Sequence, residues 1–121
     1  MVTVMDALIH LQDAALVARA RRGDHQAFAE LVRRYENAAH AVVAQRVNDR
    51  EAALDVVQDG FVRAYCKLGQ LRDLERFGAW LRTIMVREAL GWLRGQYRDA
   101  HATPSPLEAA VDPPAVGRRL T

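Results

Sequence analysis

Apolar residues recur every three or four positions along most of this chain, and no stretch alternates with the two-residue period of a β-strand. A first helix is predicted from Asp13 to Arg21, and the segment Met5–Leu11 can extend it backwards. Gly23 ends that helix, and Asp24 is a natural N-cap for the next one. The second helix is predicted from about His25 to Val47. Its expected core positions are Phe28, Leu31, Val32, Tyr35, Ala39, Val42 and Val43.

Two further helices are predicted downstream. The third begins at a capping box formed by Asn48 and Glu51, and Gly69 is its expected C-cap. A short polar loop, Gln70–Glu75, leads to a fourth helix from about Arg76 to Arg98. The expected core residues of these helices are Ala53, Val56, Val57, Phe61, Ala64, Tyr65, Leu68, Phe77, Trp80, Leu81, Ile84, Met85, Leu90 and Leu93. The pattern therefore predicts an all-α fold, a compact bundle of four main helices over residues 1–99.

The last part of the chain has a different character. All four prolines of the sequence lie in residues 100–121, where helical periodicity is weak. We expect a flexible tail or interdomain linker there. The composition of the whole chain, 50% apolar and 26% charged over 121 residues, suits one domain that buries a core without disulfides or metal.

Several classes of protein are disfavoured by what the chain lacks. Cys66 is the only cysteine, so an internal disulfide is impossible. Met1–Leu11 lacks the basic start of a signal peptide, and no run reaches the roughly 20 apolar residues of a membrane helix. The histidines are scattered, and neither a Glu-x-x-His pair nor a glycine-rich phosphate loop is present. We therefore expect a cytoplasmic protein that is not an enzyme, has no membrane partner and needs no cofactor or metal.

Charge is divided between two neighbouring segments. Residues 49–65 carry four acids against two arginines, whereas residues 72–98 carry six arginines against three acids. Such a division suits an adaptor that contacts a basic protein on one patch and a polyanion on another. Two plainer interpretations remain open: the acids only solvate their helix, and the arginines form an ordinary basic surface in a protein from a GC-rich genome.

Three sequence motifs resemble region 2 of bacterial sigma factors of the extracytoplasmic-function group. L-V-A-R-A-R-R-G-D-H-Q-A-F-A-E-L-V-R-R-Y resembles the opening of that region. D-V-V-Q-D-G-F-V-R-A-Y resembles its D-L-V-Q-E-T-F-L-R-A-Y segment, and R-F-G-A-W-L-R-T-I resembles the following R-F-x-x-W-L-Y-R-I segment. The matches follow one another in the family order and spacing, and they cover about Leu16 to Arg98.

The resemblance implies two partners and a third candidate. The first partner is the pair of clamp helices in the largest subunit of core RNA polymerase. The second is the non-template strand of the minus-ten promoter element, which members of the family also melt. The third candidate is an anti-sigma factor. Asp55, Gln58, Asp59 and Arg63 fall on the segment that faces the clamp. Because residues three and four apart are neighbours on a helix, the two acids and Gln58 are expected to share an exposed face.

The resemblance also implies a DNA-binding surface. The loop Gln70–Glu75 aligns with the family loop that captures a flipped promoter base, and the last helix can follow the phosphate backbone along one side. The candidate DNA-binding residues are Lys67, Arg72, Arg76, Arg87, Arg94 and Arg98.

The chain departs from the family pattern at several points. Arg87 replaces a common asparagine, Gly91 replaces a frequent aspartate, and the usual arginine-rich end is reduced to R-G-Q-Y-R. Family members normally continue through a linker into a second helical domain, so this sequence is either a fragment or a single-domain variant. The departures motivate an alternative, an interaction module that binds polymerase or an anti-sigma factor without reading DNA. A helical bundle for an apolar ligand is a more distant alternative.

Overall fold

A computed structural model describes residues 3–101 of the chain as a bundle of four helices. The helices are α1 (Val4–Arg21), α2 (His25–Ala44), α3 (Arg50–Cys66) and α4 (Phe77–His101). Two single 3-10 turns, Leu68–Gln70 and Leu74–Arg76, connect α3 to α4. No strand occurs within residues 3–101, and the predicted all-α bundle is confirmed. Most of the predicted tail, residues 102–121, lies outside the described part, while α4 continues three residues beyond the predicted end at Arg98.

The first helix has two unlike halves. It begins at a capping box, in which Thr3 Oγ1 accepts from the Asp6 backbone N–H at 3.0 Å and the Asp6 carboxylate accepts from the Thr3 backbone N–H. Its first half carries exposed apolar side chains, at Val4, Met5, Leu8, Ile9 and Leu11. Only from Asp13 onwards is the helix packed, with Leu16, Val17 and Ala20 in the core. The predicted backward extension is therefore helical but contributes little to the core.

The turn between α1 and α2 forms as predicted. Gly23 has φ +96°, which is the conformation that glycine adopts without a steric penalty. Asp24 caps α2, and its side chain accepts from the backbone N–H groups of Gln26 and Ala27 at 3.1 Å each. The Ala27 N–H, followed by the Arg19 guanidinium, holds the pKa of Asp24 below its usual value. The second helix ends at Ala44, three residues before the predicted end at Val47.

Both predicted caps of α3 are wrong. Asp49, not Asn48, is the N-cap, because its carboxylate accepts from the Glu51 N–H at 2.9 Å and from the Ala52 N–H at 3.2 Å. At the other end the helix stops at Cys66, with Lys67 as its C-cap. Gly69 lies beyond, inside the first 3-10 turn, and does not adopt a positive φ. Periodicity predicted the position of the helix, but its N-cap was predicted one residue too early.

The core joins all four helices, and most of the predicted core positions are confirmed. Leu31, Val43, Phe77 and Met85 are completely shielded from solvent. Two predicted core residues are instead exposed, Tyr65 by 38% and Leu90 by 41%. In each case the preceding residue, an alanine, takes the fully buried position. Because successive residues on a helix are rotated by about 100°, Tyr65 and Leu90 turn away from the core.

The largest helix–helix contact is between α3 and α4. At Gly60, a Cβ atom would collide with the Sδ of Met85 and lie 2.9 Å from its Cε. Met85 is fully buried, so the end of its side chain would have to repack to admit a larger residue. Glycine at position 60 thus allows the two helices to approach closely. Within residues 3–101, no helix combines the length and the apolar character needed to cross a bilayer.

Candidate nucleic-acid and protein interface

The acidic segment of α3 does not form the uniformly exposed face that its spacing predicts. Asp55 and Gln58 are exposed, but Asp59 is buried, with 9% of its surface accessible. A helical projection places Asp59 only about 40° from Asp55, so periodicity alone cannot distinguish them. Asp59 directly precedes Gly60, at which α3 and α4 pack closely through Met85. The prediction that all three side chains share one exposed face is therefore wrong for Asp59.

Arg63, one turn further along α3, is engaged within the domain. Its Nε lies 2.7 Å from the Oε2 of Glu88 on α4, an ion pair that lacks the alignment of a hydrogen bond. The Glu88 side chain is 13% exposed and that of Arg63 is 38% exposed. Because ion pairs gain strength as they leave water, this contact helps to hold α3 against α4. Sequence reasoning assigned Arg63 to a partner and did not identify Glu88.

The connection between α3 and α4 presents three of the predicted DNA-binding residues. Lys67 is half-buried at the end of α3, whereas Arg72 and Arg76 are exposed. Leu71 has an extended backbone, with φ −72° and ψ 119°, and its side chain is buried. Since successive side chains of an extended segment point to opposite sides, the burial of Leu71 directs Arg72 towards solvent. Asp73 then caps the second 3-10 turn by accepting from the Glu75 N–H at 3.1 Å.

The fourth helix carries the other three predicted residues. Arg87, Arg94 and Arg98 are all exposed. Spacings of seven and four residues keep them within about 40° of one another around the helix axis. Arg94 and Arg98 also line an open groove of about 390 Å³ together with Leu90 and Leu93. The helix thus offers a row of guanidinium groups along one side, as the sequence predicts.

A residue that the sequence did not single out holds the connecting loop. Arg21, in the last turn of α1, donates from Nη1 to the Leu71 carbonyl at 3.2 Å and from Nη2 to the Gly69 carbonyl at 3.3 Å. These partners are 50 and 48 positions away along the chain. A contact of that separation leaves no local pattern in the sequence, so Arg21 could not have been found before the fold was known.

An open cleft lies beside this loop. It has a volume of about 430 Å³, and its walls include Arg21, Tyr65, Leu68 and Gly69. Tyr65 is held at the cleft by its ring contacts, since its centroid is 5.0 Å from that of Phe28 in an edge-to-face arrangement. Its hydroxyl lies 3.2 Å from His25 Nδ1. The cleft combines an accessible aromatic ring with a fixed guanidinium group, which are the two groups on which nucleobases commonly stack.

A buried polar cluster attaches α1 to α2 and was also missed. Asp13 is fully buried, accepts a short hydrogen bond from the Tyr35 hydroxyl and pairs with Arg34 Nη1 at 3.4 Å. Burial and the adjacent carboxylate raise the pKa of Tyr35. Asp13 stands three, four and seven residues before Leu16, Val17 and Ala20, in line with the apolar stripe. This position in line with the apolar residues could have indicated from the sequence that the Asp13 carboxylate is buried.

Nothing in the described part of the chain suggests metal chemistry. Residues 3–101 contain no group of three or more histidine, cysteine, aspartate or glutamate side chains placed to hold an ion. Cys66 is exposed and lies at the end of α3. The surfaces described above carry carboxylates on α3 and guanidinium groups on the loop and α4.

Comparison with known proteins identifies the family to which the chain belongs. Residues 31–99 match the Sigma-70 region 2 family. The chain is 38% identical over 78 residues to the RNA polymerase sigma-H factor of Pseudomonas aeruginosa, a match that covers 64% of this chain and 40% of that protein. It is 39% identical over 88 residues to the ECF RNA polymerase sigma-E factor of Haemophilus influenzae, covering 73% of this chain and 46% of that protein. The chain thus spans less than half the length of these relatives.

A solved structure shows the same fold. It is an NMR structure of an engineered region 2 of sigmaE in complex with GTAAAA, and it matches with a TM-score of 0.70 and 34% sequence identity. The match covers 74% of this chain and 94% of that one. The chain therefore belongs to the Sigma-70 region 2 family, within the extracytoplasmic-function type. This confirms the family resemblance.

Proposed function

We propose that this domain binds core RNA polymerase and the unpaired non-template strand of a minus-ten promoter element, in the cytoplasm. The observation that carries the proposal is the likeness to sigmaE region 2 in complex with GTAAAA, at a TM-score of 0.70. Exposed arginines of this chain lie on the loop, at Arg72 and Arg76, and along one side of α4, at Arg87, Arg94 and Arg98. The engineered region 2 of sigmaE has the same fold and is in complex with such a strand. In this chain, the fold carries guanidinium groups suited to phosphates and base edges.

The connecting loop and the adjacent cleft are proposed to receive an unstacked base. Extruding a base costs a few kcal/mol, which stacking and hydrogen bonds in a pocket can offset. Tyr65 offers an accessible ring in the cleft, and Arg72 and Arg76 lie on the neighbouring loop. The row formed by Arg87, Arg94 and Arg98 would then contact successive phosphates. Binding energy directed at the unpaired strand favours the melted promoter over the duplex, which is how a protein without catalytic groups assists strand opening.

The clamp helices of the polymerase are proposed to contact the exposed part of α3. Asp55 and Gln58 are accessible there, and their neighbourhood carries net negative charge. A basic partner would be attracted by this charge and oriented by the two side chains. Asp59 and Arg63 are better suited to a supporting role, because one is buried and the other is paired with Glu88 on α4.

The DNA part of the proposal is tested by fluorescence anisotropy. The full chain is titrated into a labelled single strand containing GTAAAA, and into its duplex, over a series of salt concentrations. We expect tighter binding to the single strand and an affinity that falls with salt, because phosphate contacts release counterions. Undetectable or salt-insensitive binding would contradict the proposal and favour an interaction module that binds polymerase or an anti-sigma factor without DNA.

The polymerase part is tested separately by pull-down with the isolated clamp helices. Asp55→Lys should weaken that association, while Arg33→Gln on α2 serves as a control for a charge change on another helix. Unchanged association of Asp55→Lys would show that the clamp does not contact this face.

A further inference from the structure

We propose that Arg21 is a positioning residue for the DNA-binding loop: it fixes the backbone from which Arg72 projects. The inference rests on the proposed function, since it explains how the loop is held ready for an unpaired strand. Arg21 itself lies in the last turn of α1, and its side chain also lines the cleft beside the loop.

The contact between Arg21 and the loop consists of two hydrogen bonds. Arg21 donates through two different nitrogens to two different carbonyls of the loop, those of Gly69 and Leu71. Two directed bonds from one planar guanidinium fix the orientation of both peptide groups, whereas a lysine ammonium would act only as a point charge. The loop is thereby attached to the end of a helix that is itself packed into the core through Val17 and Ala20.

The Leu71 carbonyl controls the direction of the backbone at Arg72. A peptide group is planar, so the direction of the Leu71 C=O also sets the direction of the Arg72 N–H. Leu71 is buried on the inner side and Arg21 binds its carbonyl, so the backbone is held at both its side chain and its main chain. The point at which Arg72 leaves the loop is consequently fixed before any strand binds, which lowers the ordering cost on association.

The first 3-10 turn of the loop has two backbone hydrogen bonds of its own. The Gln70 N–H donates to the Lys67 carbonyl at 2.8 Å, and the Leu71 N–H donates to the Leu68 carbonyl at 3.2 Å. A 3-10 turn of three residues has poor intrinsic stability, so contacts from outside the turn decide how often it opens. Arg21 supplies two such contacts. The exchange rates of the Gln70 and Leu71 amides therefore report directly on whether Arg21 holds the loop.

The chain offers a matched control in the adjacent residue. Arg22 is exposed, and among the described residues its guanidinium group makes no hydrogen bond or ion pair. Arg22→Gln removes the same charge one position away but leaves both loop bonds intact. In Arg21→Gln we expect the Gln70 and Leu71 amides to exchange about tenfold faster than in the wild type, and in Arg22→Gln we expect no change. Arg21→Lys keeps the positive charge but lacks the planar guanidinium with its two donor nitrogens, so it should behave as Arg21→Gln.

Binding of the GTAAAA single strand supplies the second measurement. Arg21→Gln should weaken binding roughly five- to tenfold with an unchanged salt dependence, because no phosphate contact is lost. Loop exchange that stays at the wild-type rate in Arg21→Gln would overturn the proposal, and so would full rescue by Arg21→Lys. A fall of about 0.7 in the salt slope would also overturn it, since Arg21 would then be a phosphate ligand.

The two measurements separate failure of this inference from failure of the proposed function. If the wild-type chain shows no salt-dependent binding of the strand, the DNA-binding function is wrong, whereas the amide exchange still decides whether Arg21 holds the loop. If the wild type binds but Arg21→Gln binds equally well, the function stands and the positioning role is wrong.

Discussion

The acidic face of α3 and the arginine row of α4 are built differently. On α3, the charged residues are interrupted by the neighbouring helix: Asp59 is buried and Arg63 is paired across the interface, while Asp55 remains accessible. On α4, by contrast, Arg87, Arg94 and Arg98 are all exposed. One surface is thus partly structural, and the other consists of side chains that project into solvent.

The difference shows how two kinds of charged residue should respond to substitution. A charge in the α3–α4 contact affects folding first and binding second, because its removal disturbs the packing of two helices. A charge on the outer side of α4 affects binding alone, since exposed charges contribute little to stability. Four comparisons of variants test this distinction.

The largest effect is expected at Asp59. Asp59→Lys replaces a buried carboxylate by an ammonium group and should lower the free energy of unfolding by about 3 kcal/mol. The matched variant Asp55→Lys, four residues earlier on the exposed side, should change it by about 0.5 kcal/mol or less. Urea denaturation followed by tryptophan fluorescence measures both. Equal stabilities for the two variants would show that the acids of α3 are equivalent after all.

A second interior acid, Asp13, extends the comparison to α1. Asp13→Ala leaves the hydroxyl of the half-buried Tyr35 without its acceptor, and we expect a loss of about 2 kcal/mol. The exposed Asp6 at the start of the same helix serves as the control, where Asp6→Ala should cost about 0.5 kcal/mol. The same denaturation experiment compares them. A loss at Asp13 no greater than that at Asp6 would contradict a structural role for the buried carboxylate.

The pH dependence of stability should reveal the same cluster. The pKa of Tyr35 is raised in the folded state above its ordinary value of 10.0, chiefly by burial and then by Asp13. The folded state therefore holds the proton more tightly, so this stabilisation is present below the unfolded pKa and is lost as the pH rises above it. Between about pH 9 and about pH 11, the wild type should lose about 1 kcal/mol more than Tyr35→Phe does. Parallel curves for the two proteins would exclude Tyr35 as the source.

The smallest effect on stability is expected on α4. Arg98→Gln should change the free energy of unfolding by about 0.5 kcal/mol or less, yet reduce the salt slope for single-strand binding by about 0.7. Arg82 on the same helix lies about 120–160° away from the arginine row and provides the control. Arg82→Gln should leave the slope unchanged. An equal reduction in both variants would mean that the strand does not distinguish the two sides of the helix.

Local periodicity was sufficient to predict the number, type and approximate position of the helices. The Asp24 cap and the buried positions at Leu31, Phe77 and Met85 are local consequences of chain geometry and amphipathic spacing. The errors at Tyr65 and Leu90 are rotations by a single residue, where a small alanine took the buried place. Periodicity defines a face about 100° wide and cannot choose between neighbours at its edge.

The candidate site was less predictable, because it depends on contacts between distant parts of the chain. The exposed arginines were found because exposure follows from helical spacing. The burial of Asp59 depends on the packing of the folded chain, and the role of Arg21 depends on a loop about 50 residues away. Neither contact leaves a trace in the neighbouring sequence. Pairings across the bundle are therefore the part of the site that only the folded chain reveals.

The glycine at position 60 has a consequence for the geometry of both surfaces. At this point α3 and α4 touch through the Met85 thioether, with no room for a side chain between them. A larger residue would push the helices apart and carry the arginine row away from Asp55 and Gln58. The lack of a Cβ atom at Gly60 would thus help to set the distance between the surface proposed for the polymerase and the surface proposed for DNA.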